Sequence, residues 1–374
     1  MNPVPLFFSQ AEDGIIRCAL CPRNCSVSGG NTGVCRVRAN KNGKPLLPYY
    51  GFITAFALDP IEKKPLYHFR PGSEIFSLGF AGCNLRCPFC QNWHISQNVD
   101  AEGCRMEPKE IITAIRRGLL RQAAALDADP SVSGVEPGAQ IAYTYSEPLV
   151  HAEFLIDCMG LAGEQGIANV LVTNGCVNAG AAGEILALTD AVNVDLKCFS
   201  EETYSKVLGG DLETVLGFIK LACKMGIHVE LTTLVVPGLN DGEGELDSIA
   251  DFIAGLSGEK APGEKAPDTL PGNSGLSEIP WHLSAYHPDY RWKAPPTDPG
   301  LLLAAARRAR EKLRYVYTGN IGGETNDTFC PHCGSVLVSR YGYRVNVKGL
   351  SLREESGVYR YHCAKCGKPA PIRY

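Results

Sequence analysis

Short apolar runs alternating with helical patterns fill the middle of the chain. Glu74-Ile75-Phe76-Ser77-Leu78-Gly79-Phe80 reads as a buried strand. After Glu107-Pro108, the residues Ile111, Ile112, Ile115, Leu119 and Leu120 recur at helical spacing, and Pro108 suits a first helical turn. Further strands are predicted over 140–145, 170–175, 191–197, 229–236 and 281–288, with helices over 212–224, 246–256 and 301–313. Buried strands alternating with helices predict an α/β fold built on a parallel sheet with right-handed crossovers. Six such units predict a partial (β/α)6 barrel of TIM type, short of the closed eight-stranded form.

The polar residues at the strand ends change the picture. Active sites in barrels lie where the strands finish. Here those positions hold a cysteine loop, then Glu147, Asn174, Asp195 with Lys197, Val236-Pro237-Gly238, and His287. One such residue is usually a turn former. Six sets aimed at one mouth predict a site.

The barrel is expected over 71–320, with a four-cysteine part and lead-in over 1–70 and a second four-cysteine part over 321–374. The tandem repeat Gly258-Glu259-Lys260-Ala261-Pro262, Gly263-Glu264-Lys265-Ala266-Pro267 cannot build a core, so 258–275 is expected to be a flexible surface insertion.

At 374 residues, 45% hydrophobic and 20% charged, the composition is that of a globular protein, and a net charge of −4 creates no global pull toward nucleic acid. No run of about 18 apolar residues is present to span a bilayer, and the first residues do not read as a signal peptide. The 16 cysteines fall into clusters, which favours metal-bound thiolates in a reducing cytoplasm over a disulfide scaffold.

Cys83-Asn84-Leu85-Arg86-Cys87-Pro88-Phe89-Cys90 follows the first strand at C-x3-C-x2-C spacing. Three thiolates from one tight loop can hold three irons of a 4Fe–4S cube and leave the fourth iron open. The bland reading is a zinc loop or three core cysteines. Cys18, Cys21, Cys25 and Cys35 lie in a loop-rich segment that needs a metal to fold, either zinc, slightly favoured, or an iron–sulfur cluster. Cys330-x2-Cys333 and Cys363-x2-Cys366, each followed by Gly, form paired knuckles as in zinc ribbons and rubredoxins, with zinc the default metal. Cys176 and Cys198 read as small buried hydrophobes or as hydrogen-atom donors.

The cysteine loop and the strand-end motifs Thr173-Asn174-Gly175, Asp195-Leu196-Lys197 with Tyr204, Val236-Pro237-Gly238 with Asn240-Asp241, and Tyr286-His287 resemble the radical S-adenosylmethionine (SAM) enzymes of the pyruvate formate-lyase activating group. One departure stands out. Those activases carry Gly-Gly-Glu-Pro where this chain has Tyr145-Ser146-Glu147-Pro148. With Cys90-Gln91-Asn92-Trp93, the segment Ala57 to His68 and the N-terminal cysteines, that variant resembles the radical SAM enzymes of the AmmeMemoRadiSam system. The resemblance implies a 4Fe–4S cluster on Cys83, Cys87 and Cys90 that cleaves SAM reductively. It places Phe89 and Asn92 at the adenine and ribose of SAM and Ser146 and Glu147 at its amino group. Asn174, Asp195, Lys197 and His287 would meet the ribose, the carboxylate or a nearby cation. It also implies a flavodoxin or ferredoxin reductant, and Memo-type and AMMECR-type protein partners.

Two rivals remain. One is a glycyl-radical enzyme activase. The other is a metal-ribbon binding module without turnover, since residues 330–374 carry Arg340, Arg344, Lys348, Arg353, Arg360, Lys365, Lys368 and Arg373 against Glu354 and Glu355, with tyrosines interleaved. A solvated basic face is the simpler reading of that tail, and nucleic acid is not the expected partner.

Overall fold

The computed structural model describes residues 3–125, 138–256, 276–323 and 325–374. The insertion expected at 258–275 lies outside the described residues.

All six expected strands form, as β2 (Glu74–Phe80), β3 (Gln140–Thr144), β4 (Ala168–Thr173), β5 (Ala191–Asp195), β6 (His228–Val235) and β7 (Trp281–Ala285). The expectation of six units needs correcting, because Val316–Gly319 (β8) adds a seventh parallel strand beside β7. That run is only 4 residues long and precedes the cysteine tail, so its apolar pattern was too short to separate from a linker. Phe52–Pro60 (β1), grouped with the N-terminal part on sequence, joins the same sheet antiparallel to β2. The result is an open nine-stranded sheet in the order β8-β7-β6-β5-β4-β3-β2-β1, closed at its far edge by the two-residue strand Cys104–Arg105.

The strands are buried along nearly their whole length because helices cover them. Ala152–Glu164 (α2, after α1 over Pro108–Ala125) shows the pattern: Phe154, Leu155, Cys158, Met159 and Ala162 make one apolar stripe and are all buried. Leu212–Lys224 begins with Asp211 accepting the Thr214 N–H at 2.8 Å, which satisfies a free amide of the first turn. No helix among the described residues is long and apolar enough to cross a membrane.

At the end of the sheet away from the cysteine loop, Glu230 on β6 is fully buried. Its carboxylate accepts from the Tyr67 and His68 amides at 3.0 and 2.7 Å and from His228 and His282 Nε2 at 2.9 and 2.7 Å. Burial alone would favour the neutral acid, but these donors hold its pKa well below the usual range. The segment so anchored receives the tail. Arg340 is 2% exposed, donates to Tyr67 O at 2.6 Å and Thr328 Oγ1 at 2.7 Å, and lies over the Tyr67 ring. It is therefore lost from the basic surface that the tail's composition suggested.

His68 seals the same junction. Its Nδ1 is 2.7 Å from the Pro371 carbonyl, which can only accept, so Nε2 is left to accept from the Tyr317 hydroxyl at 2.7 Å. Burial pushes the His68 pKa down to about 3, below the unfolded value near 6.5. A lowered folded pKa means the stabilisation is full above about pH 6.5 and is lost as pH falls toward 3. At pH 5 we expect about 2 kcal/mol less stability at the junction than at pH 7 from this group. Limited proteolysis should release the tail faster at pH 5 than at pH 7 in the wild type, and His68→Gln should remove that difference.

Candidate functional site

Strand β2 ends in a turn with no room for a side chain. Gly82 has φ +85°, and a Cβ there would lie 2.5 Å from the Cys35 carbonyl oxygen. Only glycine tolerates both conditions. The loop that follows is fixed by Asn84, which is 2% exposed. Its amide donates to Cys176 O at 2.7 Å and its oxygen accepts from Asn174 Nδ2 at 2.9 Å. Arg86 N–H donates to Leu208 O at 2.8 Å. His151 Nε2 donates to Ala81 O at 2.8 Å from below, and burial lowers its pKa to about 4, so the ring is neutral.

Each of the three sulfurs of the loop has a polar group beside it or a cation acting on it. The Leu85 amide points at Cys83 Sγ at 3.3 Å, with Asn174 Nδ2 at 3.7 Å. Ser96 Oγ is 3.2 Å from Cys90 Sγ. Burial pushes the Cys87 thiol up to about 12, and the Lys197 ammonium is the main influence opposing it. Cys83 is raised well above its ordinary value by burial and by Glu147. Bare, Cys83 and Cys87 would keep their protons. A metal that displaces the protons would leave sulfur anions already met by donors.

Lys197 Nζ lies 2.8 Å from Asp195 Oδ2 at the end of β5. Burial lowers the ammonium's pKa, yet Asp195 and the Cys87 sulfur outweigh it and the net shift is upward. Two motif residues position this lysine by its backbone: its N–H donates to Tyr204 Oη at 3.1 Å, and its carbonyl accepts from Asn240 Nδ2 at 2.6 Å. Glu147 is 1% exposed and works inside the wall. It accepts from Thr173 Oγ1 at 2.6 Å, the Asn174 amide at 2.8 Å and the Leu149 amide at 3.0 Å, tying the end of β3 to that of β4. Burial raises its pKa to about 7 despite these donors.

The structure thus brings Glu147, Asn174, Asp195 and Lys197 to the cysteine loop. Asn92 and Ser146 cross-link the wall, donating to Tyr145 O and Phe80 O at 2.7 Å each. Phe89 is buried at 2% exposure, whereas His287 stands exposed at the end of its strand. Trp93 is 40% exposed and stacks on Tyr290 at the rim, 5.3 Å between centroids.

Sequence reasoning passed over three groups: Asn84, His151 and the environment of Tyr145. Tyr145 adopts φ +69°, the left-handed conformation that a glycine takes freely. Without a glycine's freedom, this turn carries backbone strain of about 1–3 kcal/mol. The Tyr145 hydroxyl donates to Asp59, Lys64 Nζ sits 4.5 Å above its ring, and Lys64 and Lys63 pair with Asp59 at 2.8 and 3.0 Å. The unusual Asp59-to-Lys64 run was the available signal.

In the tail, Cys330 and Cys366 Sγ are 3.7 Å apart, as are those of Cys333 and Cys363, and all four lie within 4.8 Å of one another. This four-cysteine group is suited to a metal ion.

The sequence pattern of the radical SAM superfamily matches residues 78–253. An uncharacterized protein of Methanocaldococcus jannaschii is 37% identical over 374 residues, covering 98% of each chain. The chain belongs to the radical SAM superfamily. The pyruvate formate-lyase-activating enzyme of Clostridium pasteurianum is 29% identical over 180 residues, 47% of this chain and 68% of that one. Among solved structures, a radical SAM methyltransferase from Sphaerobacter thermophilus superposes with a TM-score of 0.46 at 12% identity, covering 85% of this chain and 77% of that one. Radical SAM membership implies a 4Fe–4S cluster and SAM, and the donor set just described fits them: three thiols from one tight loop, with the Leu85 amide at Cys83, Ser96 at Cys90 and the Lys197 charge acting on Cys87.

Replacing Glu147 should damage this wall before any chemistry is tested. Glu147→Ala leaves three buried donors unmet, and we expect a loss of about 3 kcal/mol, at roughly 1–3 per group with partial relaxation. Glu147→Gln keeps one acceptor oxygen for Thr173 and Leu149 and should lose less. Thermal unfolding of the two variants beside the wild type gives the order.

Proposed function

We propose that this chain is a radical SAM enzyme in which Cys83, Cys87 and Cys90 hold three irons of a 4Fe–4S cluster and SAM takes the open iron. The observation that carries this reading is the convergence of the three-cysteine loop with the Asp195–Lys197 pair at the C-terminal ends of the parallel strands. When bound, the cluster supplies one electron that splits SAM into methionine and a 5′-deoxyadenosyl radical, which takes a hydrogen atom from substrate.

The residues of the chain position and shield. Lys197 is a compact point charge suited to the SAM carboxylate, and Asp195 fixes where it points. Asn92, with one amide hydrogen on Tyr145 O, would offer its remaining amide atoms to the polar end of the nucleoside, and Asn174, held by Asn84 and the Cys83 sulfur, would line that end. Glu147 already has three protein donors, so its part toward the SAM amino group is to hold Asn174 and the turn at Ser146 in place. Phe89, buried in the cysteine loop, would contact the adenine end, and the exposed His287 would meet a group entering from solvent. The buried apolar strands beneath the mouth would keep water from the reacting centre on that side.

The substrate is a hydrogen-atom donor that reaches the rim beside Trp93 and Tyr290. The motif variant at Tyr145 to Pro148 supports work alongside Memo-type and AMMECR-type proteins, with a flavodoxin- or ferredoxin-type reductant. The similarity to the Clostridium activating enzyme favours glycyl-radical activation as the second reading. For the tail we propose zinc: four thiolates at ~2.3 Å from one tetrahedral ion stand about 3.8 Å apart, and the paired sulfurs stand at 3.7 Å.

Anaerobically reconstituted protein given SAM and dithionite should release 5′-deoxyadenosine. Cys87→Ala should lower that release at least ~100-fold, equivalent to about 2.7 kcal/mol in the barrier. Wild-type protein that carries the cluster but neither perturbs its spectrum with SAM nor forms 5′-deoxyadenosine would sink the reading.

A further inference from the structure

The N-terminal cysteines do not gather as the tail cysteines do. Cys18, Cys21, Cys25 and Cys35 face one pocket, lined also by Arg38 and Asn84, with about 320 Å³ of atom-free space including its opening to solvent. The space between the side chains admits a water-sized sphere. Among the described residues, the tail cysteines are the only group of three or more donors whose ligand atoms all lie within 4.8 Å of one another. No three of the N-terminal sulfurs do so. One tetrahedral ion needs its thiolates about 3.8 Å apart. A cube, with one iron per thiolate and sulfides between the irons, needs them farther apart and needs a space at the centre.

The local folding keeps this wider set in place. Cys18 N–H donates to Cys25 O at 2.9 Å, and Gly33 N–H to Arg38 O at 2.8 Å, so both ends of the segment close on the pocket. Arg38 is 1% exposed, held by Glu153 at 2.6 and 2.9 Å, and its Nε donates to Cys18 Sγ at 3.2 Å. Arg23 also lines the pocket, and its Nε and Nη2 are buried with no protein hydrogen-bond partner. The Arg38 guanidinium on Cys18 Sγ, with the unpartnered Arg23 nitrogens in the same pocket wall, suits a centre of net negative charge.

We propose that Cys18, Cys21, Cys25 and Cys35 hold a second iron–sulfur cluster, of the four-iron class, rather than a single zinc. The assignment stands on these four sulfurs and does not require the reading of the Cys83–Cys90 loop. Its location adds a role that does rest on that reading. Gly82 packs against the Cys35 carbonyl, and the Asn84 side chain lies between the pocket and Cys83. In that role one electron enters from a flavodoxin- or ferredoxin-type reductant and leaves toward the Cys83–Cys90 loop, so the second cluster ends in the state in which it began.

The test uses the full chain, purified anaerobically, with iron, acid-labile sulfide and zinc counted per chain. The triple variant Cys83→Ala, Cys87→Ala, Cys90→Ala should keep about four irons and four sulfides, and on reduction should give an EPR signal that SAM does not move. Wild type should hold about eight irons, with SAM changing one of two signals and the doubly reduced protein showing spin coupling between neighbours. Zinc without sulfide in the triple variant overturns the proposal, as does a wild-type count of about four irons whose single EPR signal SAM shifts; the latter applies even if the triple variant fails to fold. Two clusters without spin coupling remove the electron-transfer role. Two clusters that both ignore SAM sink the proposed function and leave the second cluster standing.

Discussion

Seven strands that run the same way must all finish on one side of the sheet, and that constraint organises this molecule. Parallel pairing needs a crossover between neighbours, so each strand end becomes the start of a loop, and all those loops meet at one mouth. The cysteine loop after β2, Glu147 after β3, Asn174 after β4 and the Asp195–Lys197 pair of β5 come together for this reason alone. None of them is near another in sequence. The opposite side carries the strand beginnings, and there the chain places its structural business: the segment at Tyr67 and His68, and the docked tail.

Two buried carboxylates show how differently the two ends are built. Glu230 has four donors, two of them imidazoles, and its charge is stabilised far beyond the cost of burial. Glu147 has three neutral protein donors, and burial still dominates, leaving its pKa at about 7. A carboxylate with donors enough to stay ionised makes a fixed joint. One balanced between its two forms is sensitive to any cation brought near it, and it lies in the wall of the site.

Most of the fold was legible because buried parallel strands are continuous apolar runs, and the six predicted from 74 to 288 all formed. What failed had physical causes. The run at Val316 is four residues, too short for periodicity to speak, and Phe52–Pro60 alternates burial with exposure and reads as a lead-in. The candidate site was legible in its metal-binding residue types, since C-x3-C-x2-C is a spacing with few other uses. Its supporting groups were not. Asn84, His151 and Tyr145 act through backbone carbonyls, a positive φ and a side chain from a distant segment, and none of these leaves a sequence period.

Cysteine spacing says that a metal binds; it does not say how many metals. Both flanking modules offer four thiols at short spacing, and by composition either suits zinc. The tail's two knuckles rise from separate hairpins that oppose each other, so four sulfurs converge on a point and stand 3.7 Å apart in pairs. The N-terminal four come from one winding segment closed by Gly33 and Arg38, which wraps a space rather than pinching a point. The nuclearity of a thiolate site is therefore a property of backbone path, and the path follows from where the glycines, the buried arginine and the neighbouring loop force the chain to turn.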